Sequence, residues 1–369
     1  MTDVAPSSSS PVETLLDGEP YGLSAAQKPA VLLPILTELT RHHYRNCEPY
    51  RRIVDAMFGG LRPAYGSFAD LPFVPVSLFK EMELRSIPPE SVFRVLTSSG
   101  TTGQAVSRVF LDQRTSARQA KALVRIMQHF LGKQRLPMVI LDHPEVVKSR
   151  ESFSARGAGI LGLMQFGRQP IYAFRSDMSF DVDAVEKYLR AHEGQPVLFF
   201  GFTFMVWQHG VTALQALERR LPKTKGILIH SGGWKKLESA RVDAATFNAA
   251  AGEFLGLERV INFYGMVEQV GSVFFENELG CLHTPAFAEV IVRDPFTLQP
   301  LPAGRRGLIQ VISVLPESYP GHSLLTEDLG EWVGADEPAA GIPGRFFRVQ
   351  GRAPRSEIRG CSDTYAAQP

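Results

Sequence analysis

The sequence predicts an α/β protein: a large domain of parallel sheets, followed by a small β subdomain resembling a barrel or a distorted sheet. Three observations carry this prediction. Short runs rich in β-branched and aromatic residues alternate with stretches of helical periodicity, the pattern of sheets flanked by helices. A chain of 369 residues with 44% hydrophobic content can bury a large core. After residue 283 the alternation stops, and "AEVIVRD" and "GLIQVISV", joined by a Pro/Gly-rich turn segment, read as antiparallel strands.

Taken in order, residues 1–20 open with "MTDVAPSSSS", a Ser-rich start predicted to be disordered. Residues 21–282 form the predicted α/β core. Its strands are "VFRVL" (92–96), "PMVILD" (137–142), "PVLFFG" (196–201), "GILIHSGG" (226–233) and "RVINFYG" (259–265), all read as mostly buried. Its clearest helix covers about 114–131, where Ala117, Ala120, Leu123, Val124, Met127, Phe130 and Leu131 recur at three- and four-residue spacing before Gly132 supplies a stop. The apolar run "PVLFFGFTFMVW" (196–207) reads as a buried strand entering a loop and is too short to span a bilayer. Residues 283–348 make the β subdomain and 349–369 a short tail.

Composition excludes several classes of function. Lys plus Arg (39) balance Asp plus Glu (38), leaving a net charge of +1, so there is no electrostatic footprint for nucleic acid or an anionic membrane. Partners are expected to be small molecules or proteins. The three cysteines, Cys47, Cys281 and Cys361, lie far apart without CxxC spacing, which argues against a disulfide framework or a structural zinc site and suits a reducing, cytoplasmic setting. The N-terminus shows no basic region followed by an apolar run, as a secretory signal would. Cys47 and Cys281 read as small buried fillers. His230 and His283 show no metal-ligand spacing and read as structural.

The first motif with chemical content is "LTSSGTTG" (96–103), between the strand "VFRV" and the strand-like run "SRVFLD". Small hydroxyl residues around two glycines let backbone N–H groups turn inward and gather O–H donors on one concave surface, which suits polyphosphate oxygens. It lacks the lysine of a Walker loop and no helix starts directly after it, which excludes a P-loop ATPase. By itself it is equally an ordinary Ser/Thr/Gly hairpin turn.

Other motifs follow it in order. TSSGTTG, "SGGWKK" (231–236), "FYGMVEQ" (263–269), "LLTEDLG" (324–330) and "VQGRAPRSEIRG" (349–360) together resemble the successive nucleotide-handling motifs of the adenylate-forming ligase superfamily. The resemblance is strongest to the acyl-protein synthetases, the fatty-acid-activating subunits of bacterial luciferase fatty-acid reductase systems, and covers nearly the whole chain after about residue 20. It implies the large N-terminal domain of that fold, with the usual C-terminal domain missing or reduced to a short tail.

Carried over by position, the resemblance implies that Thr97, Ser98, Ser99, Gly100, Thr101, Thr102 and Gly103 wrap the phosphates of ATP. Gly232 and Gly233 would let the backbone approach the adenine face. Tyr264, beside Gly265, resembles the aromatic that stacks on adenine. Glu268 resembles the carboxylate that holds Mg²⁺, Asp328 an acceptor for the ribose hydroxyls, and Arg352 a contact to the ribose or α-phosphate. Such residue types suit attack of a carboxylate on the α-phosphorus, where a metal and fixed donors must neutralise spreading charge. The chain departs from the broad superfamily at Val267, where a threonine is usual, and neighbouring Gln269 is expected to compensate. His143 in "LDHPE" would steer the substrate carboxylate, with the small apolar run after it forming the acyl pocket; a histidine capping a strand end is the alternative.

The tail completes the expectation. Full adenylate-forming ligases continue beyond the "GR…IRG" motif into a mobile domain that admits CoA, whereas here the thiol of Cys361 follows that motif directly. The segment from Arg352 to Cys361 reaches about 30 Å when extended, and tethering makes thioester formation intramolecular. Arg355 and Arg359 would favour the thiolate. The expected reaction is thus ATP-dependent formation of acyl-AMP from a fatty acid, then acyl transfer to Cys361 for hand-over to a partner reductase or transferase. A CoA ligase resembling phenylacetate-CoA ligase is the alternative enzyme, and a non-catalytic adenylate-binding scaffold the alternative of another class.

Overall fold

The structure, a computed structural model, describes residues 10–98, 106–147, 155–234 and 241–353. The chain divides into two compact units, one formed by Met1–Arg125, Met266–Ser272 and Asn277–Pro369, the other by Ile126–Gly265 and Val273–Glu276.

The second unit is a parallel α/β layer. Its strands lie in the order Phe274–Glu276, Leu257–Tyr264, Lys225–Ser231, Pro196–Phe202, Leu136–Ile140 and Gly167–Tyr172. All neighbours are parallel except Phe274–Glu276, which runs antiparallel to Leu257–Tyr264. The central strands are covered on both faces, which explains their continuous apolar runs. Leu136–Ile140 is buried throughout, and Val197 and Phe199 pack into a core with Val139, Leu228 and the helix residues Val185, Leu189 and Phe247, while Leu198 and Phe200 are buried on the opposite face of their strand. Leu257–Tyr264 differs from expectation: only Ile261 in it is buried, so this strand is half-covered at most positions. The run after Phe202 also differs. It continues as helix through Thr203–Met205, a π-helical turn at Val206–Val211 and Thr212–Ala216, where a loop was expected.

The first unit joins N-terminal helices to an antiparallel sheet. Strands Ala288–Arg293, Gly307–Ser313, Ser323–Ala335 and Arg345–Arg352 follow one another in antiparallel order, with Leu282–His283 beyond the last. The expected antiparallel pair is thus present. Val74–Pro75 adds to the long strand Ser323–Ala335 in parallel, Val74 opposite Leu324. Helix Lys28–Asn46 is tied to this sheet by Lys28, a fully buried ammonium that donates to the Thr284 hydroxyl (2.6 Å) and to the carbonyls of Thr284 (3.1 Å) and Ala288 (3.0 Å). Burial lowers its pKa to about 8.

Three sequence expectations bear on this unit. The helix predicted at 114–131 spans Gln113–Leu131 and runs on into the second unit; Asp112 caps it by accepting from the Thr115 N–H at 2.7 Å, and Gly132 follows at φ 78°. Residues 10–20, expected to be disordered, carry the helix Pro11–Asp17, capped by Ser10 and buried through Val12 and Leu16. The strand expected at 92–96 is present as Arg94–Thr97, paired antiparallel with Arg108–Leu111, but it is largely exposed where a buried strand was expected. The buried side of this hairpin is carried by its partner strand, through Val109 and Leu111. Among the described residues, no helix is long and apolar enough to cross a membrane.

Buried neutral histidines make the stability pH-dependent. His43 and His322 stack at 4.8 Å inside the first unit, His322 paired with Thr40 at 3.0 Å, and burial holds His322 down at about 3. The unfolded ring titrates near 6.5. As pH falls below that value the unfolded chain takes up a proton that the folded chain refuses, so stability is lost. A His322→Gln variant, uncharged at every pH, should therefore lose less stability than wild type between pH 7.5 and 5.5, by about 1.4 kcal/mol in denaturant titrations. Equal losses in the two chains would show that the ring is protonated in the native state.

Candidate active site

Within the first unit the structure brings the base of the hydroxyl-rich loop beside Glu268. Thr97 ends its strand in an exposed position, and Ser98 and Ser107 close the hairpin: the Ser98 N–H donates to the Ser107 carbonyl (3.1 Å) and the Ser107 N–H to the Ser98 hydroxyl (2.9 Å). Ser99, Gly100, Thr101, Thr102 and Gly103 lie outside the described residues. Glu268 sits in a short 3₁₀ turn, Val267–Gln269, and is only 6% exposed. Burial raises its carboxyl above the ordinary range; the nearby Ser107 hydroxyl opposes this, and Lys80 and Arg352 pull weakly the same way.

The turn is fixed by close backbone approaches. Gly271, at φ 85°, lies where a Cβ would meet the Gln119 carbonyl oxygen at 2.6 Å. A Cβ on Gly321 would come within 2.8 Å of the Glu268 carbonyl oxygen. Gln269 is locked as well: it is 1% exposed, and its amide donates to the Gly321 carbonyl at 2.9 Å. It is therefore not the replacement phosphate donor expected for Val267, because its N–H groups face the interior of its own unit.

The Ser107 hydroxyl is buried with no hydrogen-bond partner. A raised carboxylate beside an unpartnered hydroxyl is a set of hard oxygen donors, and it fits Mg²⁺, which takes one or two protein ligands and completes its shell with water and phosphate. Among the described residues, no group of three or more His, Cys, Asp or Glu side chains is gathered to hold a metal.

Asp328 and Arg352 also meet. They are opposite residues on adjacent antiparallel strands, with Arg352 Nε 3.3 Å from Asp328 Oδ1 and its terminal nitrogen 3.4 Å from Glu327. The Asp328 N–H donates to the Thr326 hydroxyl at 3.1 Å. The strand register shifts just beyond, between Leu329 and Gly330. Asp328 side chain is 19% exposed and that of Arg352 71%, so the pair opens to solvent on its arginine side.

In the second unit, Gly232 follows the strand Lys225–Ser231 at φ 90°, and the Cβ position of Gly233 faces open space. Tyr264 ends its strand with its ring 6.2 Å from Phe274, and a side chain on Gly265 would strike Val273. His230 is a structural ring: fully buried, bonded to Thr203 at 2.9 Å, set against Phe247 and held neutral at about 3. His283, in the first unit, is likewise buried, between Asn277 (3.2 Å) and the Pro343 carbonyl (2.9 Å).

His143 lies just past the strand Leu136–Ile140, half-buried. Its backbone N–H donates to Asp142 Oδ1 at 2.8 Å, and its ring Nδ1 has no hydrogen-bond partner. Sequence reasoning missed its neighbours Asp142 and Arg156, and it missed Ser107. The buried aspartate at the end of an apolar strand was the signal for the first; Ser107 offered none, because its place depends on the pairing of a hairpin.

Cys47 and Cys281 are buried, 2% and 1% exposed, and burial pushes the Cys47 thiol up. Cys361 lies outside the described residues.

The fold is that of the adenylate-forming CoA ligases. Structures of 2-hydroxyisobutyryl-CoA ligase match it: one in an open conformation with 2-HIB-AMP and CoA (TM-score 0.63, 18% identity, covering 90% of this chain and 77% of that one) and one in the postadenylation state with 2-HIB-AMP (TM-score 0.63, 18% identity, 89% and 69%). Within that class, the family described as "Acyl-protein synthetase, LuxE" matches residues 3–368, and the chain belongs to it. Curated relatives are the long-chain-fatty-acid–luciferin-component ligases of Vibrio harveyi, 23% identical over 94% of this chain and 90% of that protein, and of Aliivibrio fischeri, 21% identical over 89% and 86%.

One consequence concerns nucleotide affinity. Asp328→Ala should weaken ATP binding about 30-fold, the effect of losing a hydrogen bond to a charged group of about 2 kcal/mol. Calorimetry checks this, and an unchanged affinity would count against the ribose contact that the motif resemblance implies for Asp328.

Proposed function

We propose that the protein activates a fatty acid with ATP, forming acyl-AMP and pyrophosphate, and then transfers the acyl group to Cys361 as a thioester, releasing AMP. A partner reductase or transferase would take the acyl group from there. The observation that carries the adenylation half is Glu268, a carboxylate held in the interior beside an unpartnered hydroxyl, at the base of a loop of phosphate-binding composition. Burial alone disfavours a carboxylate, and a buried acid with its pKa raised is a candidate for function. Glu268 and Ser107 would hold Mg²⁺, which supplies charge neutralisation at the phosphates when bound.

The other roles follow residue by residue. Asp328 accepts from the ribose hydroxyls, with its carboxylate oriented by Arg352. Tyr264 stacks on adenine, and the side-chain-free Gly232 and Gly233 leave room for the base. Thr97, Ser98, Ser99, Gly100, Thr101, Thr102 and Gly103 donate to the phosphates, and His143 orients the acid. For the transfer half, Cys47 and Cys281 are sequestered, and a thiol that must reach an acyl phosphate needs to be accessible as thiolate. That leaves Cys361 as the acceptor. The membership in the acyl-protein synthetases and the fatty-acid ligase names of its relatives favour this over CoA as acceptor. Incubation with ATP, Mg²⁺ and a panel of carboxylic acids, followed by intact-mass measurement, tests the reading: one acyl mass should be gained, and no gain with any acid would refute it.

A further inference from the structure

At the carboxyl ends of the parallel strands of the second unit, where open α/β sheets take their ligands, an aspartate, two histidines and a methionine sulfur surround one guanidinium. Arg156, in the second position of the helix Ala155–Met164, has its Nε 3.1 Å from Asp142 Oδ2. The approach is not in hydrogen-bonding geometry: the Arg156 N–H and that Asp142 oxygen are both buried without a hydrogen-bond partner. The remaining described contacts are long, 3.5 Å to His143 Nε2 and 3.5 Å to the Met205 sulfur. His209 faces the same group electrostatically.

An arginine in a settled ion pair uses its planar fork for two short bonds to one carboxylate. Here each arm of the fork makes one contact, to a neutral sulfur or to an imidazole and not to a carboxylate, while the Arg156 side chain keeps 27% exposure and Asp142 keeps almost none. Asp142 fixes the position of the charge without consuming its donors. Met205 and His209 are carried by the segment containing the π-helical turn Val206–Val211, a local widening that recurs at functional sites because it re-aims side chains.

We infer that Arg156 is a carboxylate anchor: it binds the carboxylate of the acid substrate through the N–H donors that no protein carboxylate takes up, with His143 beside it and Asp142 holding the guanidinium in place. The inference rests on the reaction proposed above and deepens it by naming the residue that reads the substrate's charged end. It also implies that recognition of the carboxylate is separate from recognition of the chain, so the contribution of Arg156 is the same for short and long acids.

The test is acid-dependent exchange of pyrophosphate into ATP, with acid and ATP varied separately. Arg156→Gln should raise the KM for the acid about 10- to 100-fold, the loss of a paired charged hydrogen bond, with the KM for ATP within about twofold and kcat largely kept, as for uniform binding. Arg156→Lys, which keeps the charge without the fork, should fall between the two and decides the matter if the glutamine variant does not fold. A fatty alcohol of the same chain length, lacking the carboxylate, should inhibit wild type and variant equally, a result that a merely structural arginine would not give. An unchanged acid KM, or an equal rise in the KM for ATP, would overturn the inference, the latter assigning the guanidinium to nucleotide phosphate. Absence of exchange by wild type with every acid would instead refute the underlying reaction.

Discussion

Glu268→Gln is expected to leave the protein folded while lowering acid-dependent pyrophosphate exchange to about one per cent of wild type or less, since metal-assisted neutralisation at a phosphoryl group contributes several kcal/mol. The two halves of this expectation have one physical source. Burial raises the Glu268 carboxyl, so the side chain is held against its solvation preference. A neutral amide of nearly the same shape removes that penalty, and the thermal midpoint of the variant should equal or exceed that of wild type. Activity should go the other way, because glutamine offers no anionic oxygen to a divalent cation. A folded variant with near-normal exchange would remove Glu268 from the mechanism; a variant that is inactive because it has lost stability would show the carboxylate to be structural.

Cys361→Ser should separate the two half-reactions. Pyrophosphate exchange persists near the wild-type rate, because the groups assigned to adenylation lie elsewhere. The hydroxylamine-labile acyl-enzyme disappears, because a serine hydroxyl without an adjacent base is a far weaker nucleophile than a thiolate. In wild type a tryptic map should place one acyl group on "GCSDTYAAQP". Burial of Cys47 and Cys281 sharpens the test, since neither is a ready substitute in the folded protein. Acylation of either, or undiminished labelling of the serine variant, would favour an external acceptor such as CoA.

Periodicity made the parallel strands and the long helix legible. Leu136–Ile140 and Pro196–Phe202 are apolar on both faces, and Gln113–Leu131 pairs its apolar spacing with a capping aspartate and a terminal glycine. Ordered motifs singled out Glu268, Asp328 and Arg352, which the structure places in one unit, the last two as an ion pair. What stayed hidden depends on contacts distant in sequence. The exposure of Arg94–Thr97, beside a partner strand that buries Val109 and Leu111, depends on which strand of the hairpin packs inward, which no local pattern records. Gln269 looked available because its burial depends on Gly321, and Arg156 looked like one arginine among many because Asp142 approaches it only through the fold.

The pairing of Val74 with Leu324 has a consequence for how the chain is made. On the ribosome, the second unit's nearly unbroken segment Ile126–Gly265 can condense as it emerges. The N-terminal helices have no such option. Lys28 finds its acceptors only at Thr284 and Ala288, and Val74 waits for a strand synthesised on the order of ten to fifty seconds later at ordinary translation rates. For that interval the faces that later meet this sheet have no partner, and chaperone binding to the nascent chain is the expected outcome.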